Sequence, residues 1–126
     1  MSQSPSIYLA ELHQAFDLHR SSSPRLPSAD IAAIRQRLLD EEVRELGEAV
    51  RHEDLAAIAH ELADVVYVAF GTALAYGIDL DAVLAEVHRA NMSKLGPDGR
   101  PVLRDGKVQR GDRYRPPNVA ALLGLP

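Results

Sequence analysis

Cysteine is absent from the 126 residues, so neither a disulfide framework nor a thiolate metal centre is available. Any metal must be held by oxygen or imidazole. No stretch approaches the roughly 18 uninterrupted apolar residues of a membrane span. The leading segment MSQSPSIYLAELHQ lacks the charged-then-apolar layout of a secretory signal, which makes the cytoplasm the expected compartment. Internal repeats and low-complexity tracts are missing as well. What is there is a 46% hydrophobic chain long enough for one self-sufficient core, and a single domain over residues 1–126 is expected.

The net charge of −4 conceals an asymmetry. Residues 1–93 carry 15 acids against 7 bases, a balance of −8. Residues 94–126 carry 7 bases against Asp98, Asp105 and Asp112, a balance of +4. An acidic body with a basic tail suits a metal in one part and an anion in the other; a merely mixed surface would look the same. Nucleic acid is a poor partner for so short and interrupted a basic segment, and no membrane partner is expected.

Hydrophobic spacing predicts four helices. The first covers residues 6–20, with Tyr8, Leu12, Ala15, Phe16 and His19 in line, and the loop SSSPRLPS at 21–28 stops it. The second runs from about residue 29 to 52, capped by Ser28 or Asp30, and the third starts after a cap at Asp54 and ends near Gly77. A fourth restarts after Asp79, aligns Leu80, Leu84 and Val87, and terminates at Gly96. Residues 96–126 form an irregular basic tail, with room for a short hairpin around Asp105-Gly106. The expected fold is therefore an all-α four-helix bundle with an irregular basic C-terminal segment.

Within the second helix, LLDEEVRELGEAV sets carboxylates where a core belongs. On a helical wheel Glu42 and Glu45 fall inside the apolar arc formed by Leu38, Leu46 and Ala49, while Glu41 sits at its edge. The third helix repeats the anomaly. From Leu62 to Ile78 it is apolar nearly all round, as in a helix buried on most faces, and residues 61–78 contain no lysine or arginine. Glu61 and Asp64 are its only acids and share one face. Unpaired carboxylates in apolar surroundings cost several kcal/mol and repel one another. A hard divalent cation between two antiparallel helices relieves both problems.

Plainer readings compete. Glutamate-rich helices are usually solvated faces, and Arg35, Arg37, Arg44 and Arg51 lie where they could pair with the acids. The second acidic pair, on so apolar a helix, favours a metal site. His60-Glu61-Leu-Ala-Asp64 departs from a zinc-protease HExxH helix by ending in Asp, and neither pair offers the Glu-x-x-His of di-iron bundles.

Glu41-Glu42-x-x-Glu45, fifteen intervening residues, then Glu61-x-x-Asp64 resembles the EExxE…ExxD signature of the MazG-like all-α nucleoside triphosphate pyrophosphohydrolases. The resemblance extends through HRANMSK (88–94), DGKV (105–108) and RYRPPN (113–118), and so covers roughly residues 30–118. These segments are similar to those that close over the phosphates in the family, including its phosphoribosyl-ATP pyrophosphohydrolase branch. HELADVVYV followed by GIDLDAVLAEVHRANMSK is most similar to the deinococcal dUTP-hydrolysing branch, and more distantly to the dimeric dUTPases.

The resemblance implies cleavage between the α- and β-phosphates of a nucleoside triphosphate, with dUTP the substrate implied by the deinococcal branch, giving a monophosphate and pyrophosphate. It implies Glu42, Glu45, Glu61 and Asp64 as ligands of Mg²⁺, with Mn²⁺ as a substitute, and Glu41 as the group that orients or deprotonates the attacking water. Asn91 and Lys94 extend the inward stripe of the fourth helix and suit a sugar or base edge and a phosphate oxygen; a helix-end cap and a solvated lysine are the ordinary alternatives. Lys107, Arg110 and Tyr114 of the tail would close on the β- and γ-phosphates, or simply stay exposed. Phe16 or His19 of the first helix would stack on the base, or simply be core. The surplus apolar width of the second and third helices, with Val65, Val66, Val68, Ala69, Phe70 and Leu74, points to a homodimer or a dimer of dimers. Two other functions stay open: the same chemistry on another canonical or non-canonical nucleotide, and a non-catalytic helical interaction module.

Overall fold

The computed structural model describes residues 3–126. The chain divides into two compact units, Met1–Asp79 and Leu80–Pro126. The first holds helices α1 (Pro5–Ala15), α2 (Ala29–Arg51) and α3 (Leu55–Tyr76). The second holds α4 (Leu80–Met92), strands β1 (Val102–Arg104) and β2 (Lys107–Gln109), and a short α5 (Val119–Leu122). The all-α class read from the sequence is the class observed, with one added turn of helix near the end.

In the first unit, Ser4 caps α1 by accepting from the Ser6 amide, and Pro5 sits where its missing N–H costs nothing. The helix ends at Ala15, earlier than its apolar spacing suggested. Asp17 turns the chain into the left-handed region at φ 52°, and the Leu18 amide donates to the His13 carbonyl at 2.8 Å. His19 thus leaves the helical stripe. Its carbonyl instead accepts from Nδ1 of the buried His13 at 3.0 Å.

Helix α2 begins as expected, with Ser28 Oγ accepting from the Ile31 amide and Asp30 in the first turn, where the helix dipole favours an acid. Asp54 caps α3 by accepting from the Ala57 amide at 3.1 Å. Gly77, at φ 70°, closes α3, with the Gly77 amide donating to the Leu74 carbonyl and the Ile78 amide to the Ala73 carbonyl. The Pro/Ser loop completes this end. Ser21 donates through its amide to the Leu74 carbonyl and through Oγ to the Ala75 carbonyl, and the Arg25 amide donates to the Tyr76 carbonyl. Three of the four terminal carbonyls that a helix leaves unpaired are satisfied by that loop.

The core of this unit gathers Leu9, His13, Ala49, Phe70, Gly71, Ala73 and Ala75. It occupies mainly the C-terminal half of α3. Towards its N-terminal half the apolar circumference is uncovered within the chain: Leu62 is 50% and Val66 45% exposed. The expectation that α3 is buried on most faces is therefore not met by one chain alone, because only α1 and α2 pack on it within its unit.

In the second unit α4 stops at Met92 rather than running to Gly96. Lys94 and Leu95 are held in tight turns, their amides donating to the carbonyls of Asn91 and Met92. The Asp105-Gly106 hairpin forms as the sequence suggested, pairing Val102 with Gln109, Leu103 with Val108 and Arg104 with Lys107. Asp105 at φ 53° and Gly106 at φ 76° adopt the two left-handed conformations such a two-residue turn requires. The RYRPPN segment is tied to α4. Arg89 makes a two-pronged ion pair with Glu86 at 2.8 and 3.0 Å and also donates to the Pro116 carbonyl at 3.2 Å. The Asn118 amide donates to Glu86 at 2.8 Å and the Arg115 amide to Ser93 Oγ at 2.9 Å. Together the Arg89 and Asn118 contacts hold the Glu86 carboxyl down to about 2. Asn118 then caps α5, accepting from the Ala121 amide.

Candidate active site

The connection between α2 and α3 is only His52, Glu53 and Asp54, with Glu53 left-handed at φ 52°. So short a turn folds the two helices back antiparallel. Counting from Glu53, Glu45 and Glu61 are each 8 residues away and Glu42 and Asp64 each 11. Helices rise equally per residue, so the two acidic pairs come level. The fifteen-residue gap of the sequence motif is thus a register device: it sets carboxylates of one helix opposite those of the other.

The side chains confirm the convergence. Carboxylate oxygens of Glu42, Glu45 and Glu61 lie within 4.8 Å of one another, and so do ligand atoms of His60, Glu61 and Asp64. Glu61 belongs to both groups. Glu42, Glu61 and Asp64 are half-buried and Glu45 is exposed. Glu42 Oε2 and Glu61 Oε2 are buried with no hydrogen-bond donor. An ionised oxygen in that position has lost water and gained nothing. The Glu42 carboxyl responds by rising to about 7, chiefly through burial, then through the proton it can share with Glu61, and then through the charges of Asp64, Glu45 and Glu61.

The arginines do not resolve this frustration. Among the described residues, no arginine or lysine lies within ion-pair distance of Glu42, Glu45, Glu61 or Asp64. Arg35 is turned the other way, donating through Nε to Thr72 Oγ1 at 3.1 Å and through Nη2 to the Val68 carbonyl at 3.0 Å. The pairing of acids with arginines considered from the sequence is therefore overturned. Among the described residues, the cluster's only ion pair is with His60, whose Nε2 stands 3.2 Å from Asp64 Oδ2. Oxygen-rich, charge-uncompensated and partly dry, the cluster fits a hard divalent cation.

Residues 9–91 match the phosphoribosyl-ATP pyrophosphohydrolase family. The chain belongs to that family. It is an all-α nucleotide pyrophosphohydrolase of the MazG-like superfamily, whose hydrolases typically use divalent metals. Among curated proteins there is no match.

The remaining candidate residues of this pyrophosphohydrolase are distributed as follows. Glu41 is half-buried beside Glu42. Phe16 is not core: it is 69% exposed and, with Tyr8, Glu11, Leu12, Ala15 and Tyr67, lines an open groove of about 380 Å³. Tyr67 follows Asp64 by three residues on α3, which sets the groove one helical turn from the acids. Asn91, Lys94, Lys107, Arg110 and Tyr114 all belong to the second unit. Asn91 is exposed on the last turn of α4. Lys94 lies beyond the helix, so the continuous stripe drawn through Asn91 and Lys94 is broken at Met92. Lys107 is exposed on β2, and the Arg110 guanidinium stacks over the Tyr114 ring at 4.8 Å.

Sequence reasoning passed over His60 because HExxD is not HExxH. The available signal was its spacing: i, i+4 to Asp64 puts the imidazole on the acidic face.

Proposed function

We propose that this chain is a Mg²⁺-dependent nucleoside triphosphate pyrophosphohydrolase that cleaves between the α- and β-phosphates, with dUTP as its substrate and dUMP and pyrophosphate as products. The observation that carries the reading is the pair of buried, unpartnered carboxylate oxygens on Glu42 and Glu61, within a cluster that no arginine or lysine neutralises. Glu42, Glu45, Glu61 and Asp64 would hold the cation. Bound there, it would offset the negative charge of both cluster and polyphosphate and polarise the phosphoryl oxygens.

The chain's own groups do the rest. Glu41 lies next to the ligands and is only half-buried, so it can orient the attacking water and accept its proton. Tyr8, Phe16 and Tyr67 offer aromatic faces on which a nucleobase can stack, one turn of α3 from the acids. Asn91 suits the sugar or base edge; Lys94, Lys107 and Arg110 suit the phosphates, with Tyr114 steadying Arg110 by its ring. The roles in the second unit rest on chemistry and on the similarity of HRANMSK, DGKV and RYRPPN to the family's phosphate-closing segments.

A single catalytic domain over residues 1–126, acting in the cytoplasm, is part of the proposal. A homodimer, or a dimer of dimers, would cover the exposed Val43, Val50, Leu62 and Val66 of α2 and α3.

The family match favours a second reading on substrate, phosphoribosyl-ATP, with the same bond type broken. The two are separated by incubating the pure protein and Mg²⁺ with dUTP, the other nucleoside triphosphates and phosphoribosyl-ATP, and assaying pyrophosphate and monophosphate together. Equimolar dUMP and pyrophosphate are expected. Release of orthophosphate would place cleavage at the γ-position and contradict the proposal, as would turnover of none of the panel.

A further inference from the structure

We infer that His60 is a nitrogen ligand of the cation site, giving this chain a preference for Mn²⁺ over Mg²⁺ beyond that of an all-carboxylate cluster. The inference rests on the metal-dependent reading above and concerns a residue that lies within the matched residues 9–91 but outside the acidic motif. His60 Nε2 and Asp64 Oδ2 are 3.2 Å apart. Two adjacent ligands of an octahedral ion with bonds of about 2.1 Å stand about 3 Å apart, so the pair already has the spacing a shared ion imposes.

Its surroundings support the same reading. His60, Glu61 and Asp64 present ligand atoms within 4.8 Å of one another, and Glu61 also belongs to the Glu42–Glu45–Glu61 group. The two sets therefore meet at one carboxylate, whose Oε2 is buried and unpartnered. The imidazole is 71% exposed and engages nothing in the core, so no packing role competes for it. A simple i, i+4 surface ion pair accounts for the His60–Asp64 distance, but not for its placement against a carboxylate with a donorless oxygen.

Donor type gives the functional consequence. Mg²⁺ binds oxygen almost exclusively and keeps its waters, whereas imidazole suits first-row transition ions. One nitrogen among carboxylates therefore strengthens Mn²⁺ binding while adding little for Mg²⁺. With His60 as ligand, the cation that best fills this site in the cell would be set partly by one side chain at the cluster's exposed edge.

The test is calorimetric titration of the metal-free full chain with MnCl₂ and with MgCl₂, on the native protein, His60→Gln and His60→Ala. Pulsed EPR of the Mn²⁺-loaded forms accompanies it, to detect ¹⁴N coupling to the ion. The expected result is about a tenfold loss of Mn²⁺ affinity in both variants, with Mg²⁺ affinity within about twofold of native. A ¹⁴N coupling should be present in the native protein and absent from His60→Gln. Unchanged Mn²⁺ affinity with no ¹⁴N signal in the native protein would overturn the inference while leaving the enzyme reading intact. Failure of the native protein to bind either ion would overturn both.

Discussion

Arg35 reaches across from α2 to α3 and donates through Nε to Thr72 Oγ1 at 3.1 Å, with Nη2 on the Val68 carbonyl. Thr72 Oγ1 itself donates to the same carbonyl at 2.8 Å. Arg35 is thus used to clamp two helices and not to quench the acidic cluster farther along them. Burial pulls its guanidinium below its ordinary range, the mark of a charge held without a carboxylate partner. This division of labour keeps the acids available.

Arg35→Met should destabilise the fold by about 1–3 kcal/mol, since Thr72 and Val68 lose a charged donor in a part-buried setting. Gly71→Ala should do likewise, because an added Cβ would stand 2.5 Å from Arg35 Nη2 and 3.2 Å from His13 Nε2. Urea denaturation of both variants checks this, and unchanged midpoints would show that the clamp is dispensable.

Glu61→Gln and Asp64→Asn should abolish hydrolysis while leaving helical content unchanged. Without divalent cations both variants should melt at or above the native temperature, because like-charge repulsion is relieved. Circular dichroism beside the product assay separates this outcome from unfolding. A loss of melting cooperativity would assign the acids to structure instead.

Glu42 should leave a signature in the pH dependence of the metal-free protein. Its folded pKa, about 7, lies above the ordinary 4.5, so its contribution is fully present below pH 4.5 and is lost as pH rises through 7. Burial lowers the pKa of His13 and acts oppositely, removing stability as pH falls below 6.5. The native-minus-Glu42→Gln difference isolates the first effect. It should grow more unfavourable to the native protein between pH 4.5 and 7, and a flat difference would mean that Glu42 is no more desolvated than a surface acid.

Much of this architecture was legible in the chain. Caps at Ser28 and Asp54, the stop at Gly77 and the Asp105-Gly106 turn are local devices, and each behaves as its chemistry requires. Two helix ends were not legible. The spacing of Phe16 and His19 continued past the point where Asp17 turns left-handed, and Lys94 continued a stripe that tight turns interrupt after Met92. In both places the side-chain period outlasts the backbone helix. The destination of Arg35 was ambiguous for another reason: its i+7 distance to Glu42 along α2 says nothing about a carbonyl on α3. Helix α5 escaped because four residues are too few to show a period. The convergence of Glu42 with Glu61, in contrast, followed from a gap length and a short turn.

Arg89 gives a prediction for the second unit. Arg89→Ala removes the two-pronged pair with Glu86 and the contact to the Pro116 carbonyl, and should increase amide exchange across residues 113–118 by an order of magnitude or so. Hydrogen exchange read by mass spectrometry measures it. Unaltered protection there would show that Ser93 and Asn118 suffice to hold the segment.

The central claim is that the donorless oxygens of Glu42 and Glu61 are a binding site for a divalent cation and not a tolerated defect. Its most direct test is the melting temperature at pH 7 with and without saturating Mg²⁺, for the native chain and for Glu61→Gln. A rise of several degrees in the native protein, absent from Glu61→Gln, is the predicted result. Equal melting temperatures with and without the ion in the native protein would contradict it.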